Sequence, residues 1–281
     1  MTDADQYCRD KAAPRGSDLY YSLLFLAPEK RRALTAFHTL CRELDDVADD
    51  CRDAQVARLK LAWWGEEIDR LFAGAARHPV GHALAPLAAA GAIGREEFRE
   101  ILEGTAMNLE IIAYADFDTL QLYCRRTAGM ASQITAQLLG GQEHAALSYA
   151  QELGVALRLT RMIRDVGADA RRGRIYLPGD ELAQFGVAAA DILRARTSPA
   201  FRALMEYQYL RAEDHYTRAL AALPRGDRKA QQAGLALGAI HRALLREIRR
   251  DGFQVLERRY ALTPLRKLRL AARIRLGGRI A

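Results

Sequence analysis

The chain has 281 residues, half of them hydrophobic and 27% charged, with a formal net charge of +7. This composition fits a globular chain with a substantial apolar core, and no apolar run reaches the roughly 18–20 residues that a membrane-spanning helix needs. From Arg258 onward there are eight cations and no acid, while the rest carries 34 cations against 35 acids; a basic tail on a near-neutral body points to a surface contact rather than to nucleic acid.

In chain order, the N-terminal stretch MTDADQYCRDKAAPRG is polar and has no apolar segment of the secretory type, so the cytosol is the expected compartment. Helical spacing of apolar residues predicts helices over 29–50, 54–73, 80–90, 95–112, 117–140, 144–170, 200–222, 228–250 and 253–276. Pro28, Gly74 to Pro79, Gly91 to Gly94, Gly140-Gly141, Gly173 to Pro178, Pro199, and Pro224 to Gly226 break them. Nothing alternates convincingly with period two, so one all-α domain is expected over 1–281. Cys8, Cys41, Cys51 and Cys124 form no C-x-x-C pair and read as reduced packing thiols. The absence of H-E-x-x-H, P-loop and G-x-G-x-x-G patterns leaves zinc hydrolysis, Walker-type nucleotide chemistry and Rossmann cofactors unsupported.

The first unusual stretch is CRELDDVADD, residues 41–50. Asp45 and Asp49 are four apart, as are Asp46 and Asp50, so each pair shares a helix face. Leu34, Phe37, Leu40, Leu44 and Val47 form the buried stripe of the same helix. Like charges at this spacing cost a few tenths of a kcal/mol per pair, and more when desolvated. A divalent cation removes that cost, and carboxylate oxygens suit Mg²⁺, which commonly takes one or two carboxylates plus substrate phosphate oxygens. Taken alone, the run equally describes a solvated acidic helix end. A second stretch, RMIRDVGADARRGRIYLP at 161–178, repeats the spacing with Asp165 and Asp169. Two such helices face to face could hold metal ions bridged by a diphosphate. Arg42, Arg164, Arg171, Arg172 and Arg174 flank the pair and could grip phosphate in fork geometry, with surface solubility as their other reading.

These motifs, with YCRRTAGM at 123–130, YLPGDELAQFG at 176–186, ALTPLRKLRLA at 261–271 and the N-terminal YCRDKAAPRGSDLYYSLLFLAPEKRRA, resemble the squalene/phytoene synthase family over nearly the whole chain. The last two of the short motifs look most like bacterial presqualene diphosphate synthases of the hopanoid pathway. The resemblance implies an all-α isoprenoid synthase fold around a central cavity, and a head-to-head prenyl transfer. Two farnesyl diphosphates would bind with Mg²⁺ and yield presqualene diphosphate; squalene or phytoene are the alternative products. It implies Asp45, Asp49, Asp165 and Asp169 as metal ligands, Arg42 and Arg164 as diphosphate contacts, and Tyr20, Tyr21 and Phe37 as cavity lining, though core packing explains these aromatics as well.

The chain departs from the family pattern Q-x-x-N-x-x-R-D-x-x-E-D. Arg158 stands for the glutamine, Arg161 for the asparagine and Ala168 for the glutamate. Asn108 stands where an aspartate is usual, and Asp18 where a serine is usual. Arg161 is four residues from Asp165, close enough to pair with it directly, and in a degenerate member it would serve as the internal counterion of Asp165. A guanidinium cannot ligate Mg²⁺, so at least one metal site is expected to be weakened or absent. Two readings follow. Arg158 and Arg161 contact diphosphate directly in a working enzyme, or the chain is a degenerate member acting as a lipid-binding or assembly scaffold. A third is that these residues point away from the cavity. Finally, Leu262, Leu265, Leu268, Leu270, Ile274 and Leu276 alternate with cations over 262–281. That pattern suits a helix lying on an anionic membrane surface or packing as the last helix of the domain.

Overall fold

The computed structural model describes residues 2–280, except Arg52, Ile112 and Arg279, and does not describe the side chain of Asp50. The side chain of Asp50, partner of Asp46 in the first acidic stretch, and the tail cation Arg279 therefore lie outside what is described. Those residues form helices and no strand, with one isolated parallel bridge between Ala113 and Ile175.

The chain runs through α1 (Asp3–Ala12), α2 (Asp18–Leu23), α3 (Pro28–Asp50), α4 (Ala54–Phe72), α5 (Pro79–Ala89), α6 (Arg95–Glu110), α7 (Phe117–Cys124) and α8 (Met130–Leu138). It continues with α9 (His144–Arg171), α10 (Gly179–Gln184), α11 (Ala189–Leu193), α12 (Pro199–Ala222), α13 (Gln232–Arg250) and α14 (Pro264–Arg275). Helix α9 has 28 residues, roughly 42 Å at 1.5 Å per residue. Leu153, Val155, Ala156, Leu157, Leu159, Met162 and Ile163 are all buried, so it is covered round most of its girth and lies at the centre, with one polar face carrying Arg158, Arg161, Asp165 and Asp169. Helices α8, α12 and α13 pack around it. A second core, holding Phe37, Leu44, Trp64, Ile68 and Phe98, joins α3 to α4, α5 and α6. The predicted stripe of α3 is buried throughout. Its opposite, acidic side meets α9.

Three expectations change. The predicted helix 117–140 is interrupted by a π-helical segment at Arg125–Gly129, a bulge of the kind that often marks functional sites. The predicted helix 253–276 shrinks to α14. Gly252 (φ 69°) and Phe253 (φ 56°) turn left-handed after α13, which ends that helix, and Pro264 opens the next at its first turn. Helices α1, α2, α10 and α11 escape periodicity because they are short or polar. Two of them carried local signals: Thr2 and Asp5 form a capping box at α1, and Ser17 caps α2 by accepting from the Tyr20 N–H.

Candidate active site between α3 and α9

The carboxylates of the acidic run divide among separate partners. Glu43 accepts a hydrogen bond from Tyr7 at 2.5 Å and faces Lys11 at 3.4 Å. Asp46 pairs with Lys11 at 2.7 Å and with Arg42 at 2.9 Å. Asp45 reaches α9, where Arg158 donates to Oδ1 at 3.1 Å and Arg161 to Oδ2 at 3.2 Å. Asp49 makes no such ion pair among the described residues.

Arg161 therefore pairs with Asp45 and not with Asp165, as its sequence spacing implied. Asp165 is already taken, because its neighbour Arg164 donates to both its oxygens, at 2.7 and 2.5 Å. Arg158 is further held by the Tyr123 ring, its guanidinium 5.3 Å from the ring centre. Burial pushes the Asp45 carboxyl up, but Arg158 and Arg161 outweigh it and hold it below the usual range. Asp169 behaves oppositely. Burial, then Asp165 and Asp49, push it up to about 7. Burial and Asp45 also raise Asp49.

A cavity of about 320 Å³ opens here, lined by Asp46, Asp49, Asp165 and Asp169 and by eight arginines. Arg42, Arg158, Arg161, Arg164, Arg171 and Arg172 were legible as candidates. Arg258 and Arg259 were read as part of the basic tail, but the turn after α13 brings them to this cavity. Arg174 lies elsewhere: it donates to the carbonyls of Asn108 at 3.1 Å and Ala48 at 2.9 Å and so braces the backbone. The stacked rings of Tyr123 and Tyr176, 6.3 Å apart, border the cavity. Reading residue types alone missed both tyrosines. Their signal lay in the YCRRTAGM and RIYLP segments, and the bridge between Ala113 and Ile175 fixes the second of these in place.

A second cavity of about 300 Å³ shares Arg42, Arg158, Arg161 and Arg164 with the first and adds Asp45, Asp18, His38 and His241 with apolar Leu19, Leu157 and Leu237. Asp18 is neutralised there by Lys267 at 2.7 Å, with His241 at 3.4 Å; burial alone would raise its pKa, and its contacts with His241 and Lys267 lower it, while burial also lowers the pKa of His241 and favours the neutral ring. Beyond lies an apolar pocket of about 30 Å³ walled by Leu153, Leu157 and Leu237. The expected lining aromatics sit elsewhere. Phe37 is fully buried against Phe98 at 5.7 Å, Tyr21 packs on the main core, and Tyr20 borders an outer cleft with Arg9, Arg15 and Arg31. Asn108 is buried, and its side-chain oxygen has no hydrogen-bond partner among the described residues.

The donor set decides what metal these residues fit. Both oxygens of Asp45 and of Asp165 are occupied by guanidinium groups, and no group of three or more His, Cys, Asp or Glu side chains among the described residues is placed to hold an ion. Asp49 and Asp169 line the same cavity and are the carboxylates left to a hard divalent cation, which would need its remaining ligands from phosphate or water. They do not fit a larger metal cluster.

The squalene/phytoene synthase family model matches residues 12–266. The chain is 30% identical over 280 residues to the 15-cis-phytoene synthase of Synechococcus elongatus, covering 95% of this chain and 91% of that one. Among solved structures it resembles a dehydrosqualene synthase bound to a ligand, with a TM-score of 0.82, 22% identity, and coverage of 98% and 96%. It also resembles the squalene synthase HpnC of Alicyclobacillus acidocaldarius, with a TM-score of 0.77, 25% identity, and coverage of 89% and 94%.

Proposed function

The chain belongs to the squalene/phytoene synthase family, and we propose that it condenses two farnesyl diphosphates head to head into presqualene diphosphate, releasing diphosphate. The observation that carries this reading is the arginine-rich cavity lined from α3 and α9, with Asp49 and Asp169, which make no ion pair with an arginine among the described residues, on opposite walls. Its cationic excess draws a diphosphate in, and arginine forks match phosphate oxygens. Mg²⁺ held by Asp49 and Asp169 would neutralise charge on the departing diphosphate. Arg164, fixed on Asp165, and Arg42, fixed on Asp46, present remaining N–H groups to the same space. Apolar Leu19, Leu157 and Leu237 shield the allylic carbons from water. At about 30 Å³ the inner apolar pocket is too small for a prenyl chain, so substrate entry requires α2 and α13 to yield.

The curated relative reported above is a phytoene synthase, so the product is what the assay must identify. Incubation with farnesyl diphosphate and Mg²⁺, with and without NADPH, is expected to release diphosphate and give presqualene diphosphate in both cases. NADPH-dependent squalene, or turnover only with geranylgeranyl diphosphate, would reassign the product. A second reading has one observation in its favour: guanidinium groups occupy Asp45. In that reading the chain is a lipid-binding or assembly scaffold, and no diphosphate would be released under any condition.

We also infer attachment to an anionic membrane surface through α14. No helix among the described residues is long and apolar enough to cross a membrane. Helix α14 is two-faced. Ala271 and Ile274 pack inward, while Leu265, Leu268 and Leu276 face outward. Arg266 pairs with Glu247 and Lys267 with Asp18, so the outward charge comes from Arg269, Arg273 and Arg275. Each such cation contributes about 1 kcal/mol near an anionic leaflet. Deleting 262–281 would also remove the buried Leu262 and Ile280, so the cleaner variant is Leu265→Glu with Leu268→Glu. Sedimentation with phosphatidylglycerol vesicles is expected to fall in this variant; unchanged sedimentation would remove the membrane reading.

A further inference from the structure

We propose that Arg158 and Arg161, clamped on Asp45, form a diphosphate subsite that needs no metal, leaving Asp49 and Asp169 as the single divalent-cation position. The identity of the natural ligand rests on the prenyl diphosphate reading; the metal independence rests on the geometry alone.

Charge comes first. Relative to the family pattern, Arg158 and Arg161 add two positive charges, and Ala168 and Asn108 remove two negative ones. The difference of four charges equals that of two divalent cations. Asp18, the one change of opposite sign, is cancelled locally by Lys267.

Geometry supports the same conclusion. Each guanidinium gives Asp45 one hydrogen bond out of five N–H donors, so the clamp fixes both groups without exhausting them. The Arg158 Nε–H is buried and has no hydrogen-bond partner among the described residues. His241, 6% exposed, lines the second cavity beside the two arginines, and its Nδ1 is also unpartnered. Arg158 and Arg161 line both cavities, so an anion on either side reaches them. Asp45 and the Tyr123 ring hold Arg158 in place before any ligand arrives, which lowers the ordering cost of binding. Asp45, in the position of a metal ligand, acts here as a positioning residue for two cations.

The test is calorimetric titration of inorganic diphosphate into the full chain in EDTA. Saturable binding is expected, weakened at least about tenfold by Arg161→Asn and by Arg158→Gln, partly restored by Arg161→Lys, and not weakened by Asp169→Asn. Should Arg158→Gln fail to fold, the more exposed Arg161 still carries the test. Binding that appears only when Mg²⁺ replaces EDTA would overturn the proposal. So would binding in EDTA that neither arginine variant changes, which would place the anion on the remaining arginines. Because the readout is binding, a chain that takes up diphosphate in EDTA yet never turns over farnesyl diphosphate keeps the subsite and loses the condensation reading.

Discussion

Asp49→Asn and Asp169→Asn are each expected to slow diphosphate release from farnesyl diphosphate by about 10³-fold, whereas Asp45→Asn acts mainly on stability. The factor corresponds to about 4 kcal/mol, the scale of charge stabilisation a bound cation supplies to a leaving group. Asp49 and Asp169 bear this loss because no arginine among the described residues occupies them. Removing the Asp45 charge instead leaves Arg158 and Arg161 facing each other with no counterion, a buried-pair breakage worth about 3–5 kcal/mol, discounted here because Arg161 is 33% exposed. A pH series on the Asp169 variant separates the two effects. The folded chain raises the Asp169 carboxyl from 3.8 to about 7, so between those values the native state holds a proton the unfolded chain has lost. Native stability therefore falls as pH rises through that window. In EDTA, Asp169→Asn is expected to raise Tm at pH 8 by a few degrees and to change it little near pH 4. Equal turnover in all three variants, or loss of Tm in the Asp169 variant at pH 8, would contradict this division of roles.

Gly154→Ala and Gly167→Ala are expected to destabilise the fold by about 3 kcal/mol each, near the upper end for overpacking, or about 6–12 °C in Tm. A Cβ at Gly154 would meet the Ala128 carbonyl oxygen at 2.1 Å, and one at Gly167 would meet the Val255 oxygen at 2.5 Å. Both obstacles are backbone, which cannot rotate away as a side chain can. These two glycines therefore let α9 sit directly against the π-helical segment and against the turn that carries Arg258 and Arg259. Gly167 lies between Asp165 and Asp169, so pushing α9 outward there should also weaken diphosphate binding. Gly226→Ala is the control: its Cβ meets nothing within 4 Å, and its Tm is expected to be unchanged within about 2 °C. A Tm for Gly154→Ala that matches the control would mean α9 has slack at this crossing.

The helices that lie on strong apolar periodicity, α3, α4, α9, α12 and α13, were legible in the sequence because spacing along one chain fixes which side of a helix must be buried. The same local logic put Asp45 with Asp49 and Asp165 with Asp169 on shared faces, and full-length motifs gave the family. Local spacing could not choose among partners of similar charge. Asp45 finds Arg158 and Arg161, which are 113 and 116 residues away. Arg161 lost the partner its spacing suggested because Arg164, one residue from Asp165, holds both carboxylate oxygens first. The tail's charge was equally plain in the sequence, but the left-handed turn at Gly252 and Phe253 decided its use. It sends Arg258 and Arg259 to the cavity and leaves α14 outside. Sequence determined which charges the chain carries and on which helix faces; only the tertiary fold, which sets α9 across the cavity from α3, decided which of them neutralise one another and which remain open to a ligand.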